Sequence, residues 1–78
     1  MQITVQYKFI DAKSATGYNT TDYERTYSDC VYFPIPSIGD IVSYRKYPSD
    51  EYLRRIVVNR EYHNYDHELL VVIFVEDI

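Results

Sequence analysis

Leu69-Leu70-Val71-Val72-Ile73-Phe74-Val75 is the longest unbroken apolar run in the chain, at seven residues. A membrane helix needs roughly 20, so the run is not a transmembrane span. Its β-branched residues favour a strand. A strand that is apolar at every position has both faces covered, which places it in the middle of a sheet. Upstream, Tyr52 to Tyr62 reads as its partner in a long hairpin, with Glu68 to Glu76 as the second arm. The connection is His63-Asn64-Tyr65-Asp66-His67.

The remaining segments follow the same logic. Gln2 to Ile10 alternates, with Ile3, Val5, Tyr7 and Phe9 on one face and Gln2, Thr4, Gln6 and Lys8 on the other; that is the period of a half-buried strand. Residues 11–21 are small and polar and read as a connection. Asp22 to Ser28 is a second strand, with Tyr23, Arg25 and Tyr27 opposite Asp22, Glu24 and Thr26. Pro34 and Pro36 cannot donate to a sheet ladder. Gly39-Asp40 reads as a tight turn into a strand over Ile41 to Tyr47, and Pro48-Ser49-Asp50 as another turn.

The chain is therefore expected to be all-β or nearly so: one domain over residues 1–78, with about five antiparallel strands in a small SH3-like barrel or strongly curled sheet. With 78 residues and no disulfide, burial barely offsets the entropy of ordering the chain. Cover for the central strand comes from curling into a barrel or from a second copy, and a homodimer is expected on that ground. The length excludes a doubly wound cofactor fold. No secretory leader is legible at the start, so the expected location is the cytoplasm.

The turn-strand segment Pro36-Ser37-Ile38-Gly39-Asp40-Ile41-Val42 resembles the P-x-x-G-D-x-V pattern of small proteins borne by phages and mobile elements. Arg55-Ile56-Val57-Val58 and Val71-Val72-Ile73-Phe74-Val75 stand where the hairpin of that pattern would lie, so the resemblance covers roughly residues 34 to 76. It implies an SH3-like or related β-barrel. Such proteins include virion subunits and inhibitors of host enzymes, anti-CRISPR proteins among them. It supplies no catalytic residues.

The chemistry-bearing residues form no catalytic set, and neither an enzyme nor a cofactor is expected. His63 and His67 flank a turn and read as solvated rather than as metal ligands. Cys30 stands beside Asp29, which opposes thiolate formation, and reads as a small buried hydrophobe. Asp50-Glu51 and Glu76-Asp77 are adjacent pairs whose members point to opposite faces of a strand. Gly17 and Gly39 are the only glycines, so no glycine-rich phosphate loop exists.

Charge and tyrosine carry more. Eight cations against twelve acids leave a net charge of −4, which disfavours nucleic acid as the main partner. The charge is unevenly placed: residues 45–60 hold Arg45, Lys46, Arg54, Arg55 and Arg60 against Asp50 and Glu51. Tyr44, Tyr47, Tyr52 and Tyr62 lie in or beside that window. Ten tyrosines in 78 residues cannot all be buried with satisfied hydroxyls, so several should be exposed. Arginine and tyrosine are the residues that anchor protein interfaces. Contact with a host protein is expected on one of two surfaces. One is an acidic face of Asp22, Glu24, Asp29 and Asp40 that imitates nucleic acid, where lysine at positions 22, 24 and 40 should weaken partner binding without unfolding the domain. The other comprises Tyr44, Arg45, Tyr47, Arg54, Arg55 and Arg60. Alternatives are a nucleic-acid-binding barrel that uses the hairpin at 44–62, and a virion or other structural subunit.

Overall fold

The computed structural model describes residues 2–10, 19–28, 35–46 and 49–78. Five strands account for most of them: β1 (Gln2–Ile10), β2 (Asn19–Ser28), β3 (Ile41–Arg45), β4 (Tyr52–Asn64) and β5 (Glu68–Asp77). No helix occurs among the described residues. The strands form one sheet in the order β2-β1-β5-β4-β3, curled into a nearly closed, barrel-like form consistent with a small SH3-like barrel. Of the connection expected over residues 11–21, positions 19–21 belong instead to β2, and residues 11–18 lie outside the described residues.

The apolar run of β5 occupies the centre of that order, between β1 and β4. The β4–β5 pair is antiparallel, as the hairpin requires, and Tyr65 N–H closes its turn on the Glu68 carbonyl at 2.8 Å. One pairing departs from the expected antiparallel pattern: β1 lies parallel to β5. Its register matches the alternation of β1, with Ile3, Val5, Tyr7 and Phe9 opposite Leu69, Val71, Ile73 and Val75. These residues, with Val57 and Tyr44, make the barrel interior.

The outer face of β5 is covered in part within the same chain. Val72 is only 4% exposed, and it is flanked by Gln6 on β1 and Glu61 on β4. Nearby, Thr26 donates to the Thr4 hydroxyl at 3.1 Å, which donates to Glu68 at 3.0 Å, tying β2, β1 and β5 together. Leu70 and Phe74 on the same face remain half-buried.

At the entry to β3, Asp40 N–H closes a turn on the Ser37 carbonyl at 3.0 Å, while the Asp40 carboxylate accepts from Ser37 N–H at 2.8 Å. Gly39 sits third in this turn with φ of 95°. Only a residue without a Cβ takes that value cheaply. Gly39 N–H and the Asp40 carbonyl then bond Val57 at 2.8 and 2.9 Å, which sets the register of β3 against β4. A Cβ at position 39 would meet nothing within 4 Å, so its cost is backbone strain alone. Gly39→Ala should lower stability by about 1–2 kcal/mol, read as a reduced denaturant midpoint with an unchanged slope.

Candidate functional site: the tyrosine-lined seam

The strand order leaves β2 and β3 as the two free edges, and side chains bridge the gap between them. The decisive local feature is a bulge in β2. Tyr7 pairs with Tyr23, but Lys8 pairs with Thr21, so Asp22 is an extra residue in its strand. A bulge breaks the two-residue alternation and re-aims a side chain. Asp22 accordingly points inward beside Tyr23 and is 4% exposed.

Across the gap, the Tyr44 hydroxyl of β3 donates to Asp22 Oδ2 at 2.7 Å. Lys46 Nζ stands 3.5 Å from Oδ1, near enough for charge attraction but without hydrogen-bond geometry. Oδ1 therefore has no donor among the described residues. Around this bridge three rings pack together, with centroids 5.1 Å apart for Tyr7 and Tyr44, 5.8 Å for Tyr7 and Tyr23, and 6.0 Å for Tyr23 and Tyr44.

Two open clefts adjoin the bridge. The first, of about 460 Å³, is lined by Val5, Tyr7, Tyr23, Tyr27, Ser43, Tyr44, Arg45 and Tyr52. The second, of about 500 Å³, is lined by Thr21, Asp22, Tyr23, Glu24 and Arg45. Tyr23 and Arg45 belong to both. Arg25 stacks over the Tyr27 ring at 5.0 Å.

The structure sorts the expected contact residues differently from the sequence. The acidic face is not assembled as expected. Asp22 is inside because of the bulge, and a lysine there would place a cation in a buried acceptor's position beside Lys46. Glu24 is exposed and accepts from Gln6, while Asp40 is exposed and serves its own turn. Asp29 lies outside the described residues, as do Cys30 and Tyr47.

In the basic window, Arg45 and Arg54 are exposed, and Arg45 reaches Asp50 at 3.5 Å. Tyr44 is buried at 6% exposure. Arg55 faces the interior, stacked 4.2 Å over Phe9 and paired with Asp77. Arg60 donates to the Pro36 carbonyl at 3.1 Å. Tyr44 thus lines the first cleft from the interior, while Arg55 and Arg60 make contacts within the fold. Tyr52, Tyr62 and Tyr65 are 74%, 48% and 58% exposed, as the tyrosine count requires. Tyr7, Tyr23 and Tyr27 belong to the site and were not singled out as candidates. Their inward alternation was legible; the approach of β2 to β3 was not.

His63 Nε2 lies 3.0 Å from Glu61 Oε2, and His67 is exposed in the turn. Among the described residues no group of three or more His, Cys, Asp or Glu is placed to hold a metal ion. None of their helices is long and apolar enough to cross a membrane. Comparison with protein families, curated proteins and solved structures finds no match to this chain.

Burial pushes the Tyr44 pKa far above the ordinary tyrosine value, and donation to Asp22 pushes it further. Tyr7 is raised by burial and by its neighbours Tyr27 and Tyr23. A tyrosine whose folded-state pKa exceeds its unfolded value of about 10 keeps its proton after the unfolded chain has lost it. Its contribution is whole below about pH 10 and is lost as pH rises through the folded-state value. Stability should therefore fall from about pH 10 upward, and less steeply in Tyr44→Phe than in the parent. Denaturant midpoints measured through that range check this.

Proposed function

We propose that this chain is a non-catalytic protein-binding module whose contact surface is the tyrosine-lined cleft along the β2–β3 seam. The observation that carries the reading is the lining itself. Five tyrosines and Arg45 surround one open cleft, and Tyr52 at its rim is 74% exposed. Tyrosine and arginine bury large areas while keeping hydrogen-bonding capacity, and they dominate interface energetics. The same composition supports the absence of catalysis. The pKa values of Tyr7 and Tyr44 are raised, the wrong direction for a nucleophile or a base, and Ser43 has no base beside it in the lining of this cleft.

The partner in this proposal is a host protein, covered sterically by the module in the host cytoplasm. The resemblance at residues 36–42 is the support for a phage-borne inhibitor of the anti-CRISPR kind. A second copy of the chain is an alternative occupant of the same surface.

The test is a quantitative pull-down from host lysate with the parent chain, a Tyr52→Ala/Arg45→Ala variant and a Tyr65→Ala control. One protein should be retained by the parent and the control and depleted at least about tenfold by the double variant. Equal retention by all three, no retained protein, or recovery of nucleic acid alone would overturn the proposal.

A further inference from the structure

We infer that the partner docks as an extended, acid-bearing segment that adds as a strand to the free edge of β3. The inference rests on the protein-binding reading and names what the contact surface takes. It starts from the ladder between β3 and β4. Val57 N–H bonds the Asp40 carbonyl at 2.9 Å at one end, and Lys46 N–H bonds the Glu51 carbonyl at 3.4 Å at the other. Between them the pairing is antiparallel and without a register shift, with Ile41 to Arg45 opposite Ile56 to Tyr52. In such a ladder bonded and unbonded pairs alternate, so Val42 and Tyr44 direct their backbone groups to β4, as Asp40 and Lys46 do. The N–H and C=O groups of Ile41, Ser43 and Arg45 therefore point away from β4.

These residues are exposed, and Ser43 and Arg45 line the first cleft. Among the described residues no backbone hydrogen bond joins them to β2. A row of outward donors and acceptors is a template for a further strand. β2, the other free edge, is interrupted by the bulge at Asp22 and carries Glu24 and Arg25, both exposed; bulges and charges blunt an edge. β3 has neither a bulge nor a proline.

Charge selects the segment. On the face that carries Ser43 and Arg45, Arg54 is the cross-strand neighbour of Ser43, and both arginines are exposed. Arg25 stacks over Tyr27, another residue of the cleft lining. Among the described residues that lining holds no carboxylate. Asp50, which reaches Arg45 at 3.5 Å, is 97% exposed, and a solvated contact of this kind is worth little. In an antiparallel strand, the more stable arrangement, the residues that exchange hydrogen bonds with Ser43 and Arg45 set their side chains on this same face. Glutamate or aspartate at those positions complements Arg45 and Arg54. The alternate side chains turn to the other face, where Val5 and tyrosine rings form the cleft wall, and apolar residues fit there. A second copy pairing through its own β3 would instead add another Arg45 and Arg54 to the row, like charge beside like.

The experiment is an amide NMR titration of the full chain with an acetylated, amidated heptapeptide of alternating glutamate and valine. It should bind saturably. With the peptide at about ten times its dissociation constant, the amides of Ile41, Ser43 and Arg45 should exchange with solvent about tenfold more slowly. The lysine–valine counterpart should bind at least about tenfold more weakly. So should the acidic peptide N-methylated at its glutamates, which keeps the charge and loses the donors. Ser43→Pro removes an outward donor and leaves the β4 ladder whole; it should weaken the acidic peptide about fivefold. Arg54→Glu alters an exposed side chain and should narrow the preference for the acidic over the lysine peptide at least about threefold; it decides the matter if Ser43→Pro fails to fold. No saturable binding, binding without protection at Ile41, Ser43 and Arg45, equal binding of the lysine or N-methylated peptide, or an unchanged preference in Arg54→Glu would overturn the inference. So would protection of the same amides that grows with the chain's own concentration in the absence of peptide, which would assign the edge to a second copy. Acidic-strand binding without a captured partner would count against the protein-binding reading alone. A captured partner without acidic-strand binding would count against this inference alone.

Discussion

The hydrogen bond from the Tyr44 hydroxyl to Asp22 Oδ2 joins the two free edges of the sheet at 2.7 Å. Four backbone ladders build the five-stranded order, and side chains close it. The bulge at Asp22 exists in register with that bond: without the extra residue, alternation would turn the carboxylate outward and leave the Tyr44 hydroxyl facing an apolar interior. The rings of Tyr7, Tyr23 and Tyr44 pack beside this buried bond, and burial strengthens it and raises the penalty for breaking it.

A barrel closed by side chains differs from one closed by a ladder. Edge strands carry backbone groups that invite pairing with other chains. Here, among the described residues, the approach of β2 to β3 is spanned by one neutral-to-charged hydrogen bond, one ion pair lacking hydrogen-bond geometry, and three rings. The clefts arise because tyrosine rings span a gap that a backbone ladder would have filled. The place where the fold is least completely closed is thus where the proposed contact surface lies. Along this seam Asp22 and Tyr44 serve the interior, and Tyr52, Glu24 and Arg45 face outward.

Much of the fold was legible in the sequence because local physics decides it. The alternation over residues 2–10 gives β1 its bounds, the apolar run at 69–75 gives β5 its central position, and Ser37-Ile38-Gly39-Asp40 gives the turn into β3. The parallel pairing of β1 with β5 was not legible, because alternation fixes which face a residue takes and not which strand lies beside it. The abundance of tyrosine in the candidate cleft was legible, but the place of the cleft was not. Tyrosine and arginine counts pointed to a contact surface near the basic window. The bulge that turns Asp22 inward leaves no mark in composition or period, since it is a property of register. Arg55 was read as a surface cation; its odd-numbered position alongside Leu53 and Val57 places it inward, where Phe9 and Asp77 receive it.

The closure of the seam by Tyr44 and Asp22 is the claim on which this account stands, and a double-mutant cycle measures it most directly. Stability is determined for the parent, Tyr44→Phe, Asp22→Leu and the double variant. Each single change leaves one buried polar group without its partner, whereas the double change removes both. The account predicts a coupling of about 1–3 kcal/mol, with the double variant less destabilised than the sum of the singles. Additive effects, with no coupling between the two positions, would show that the edges are held together by something other than this bond.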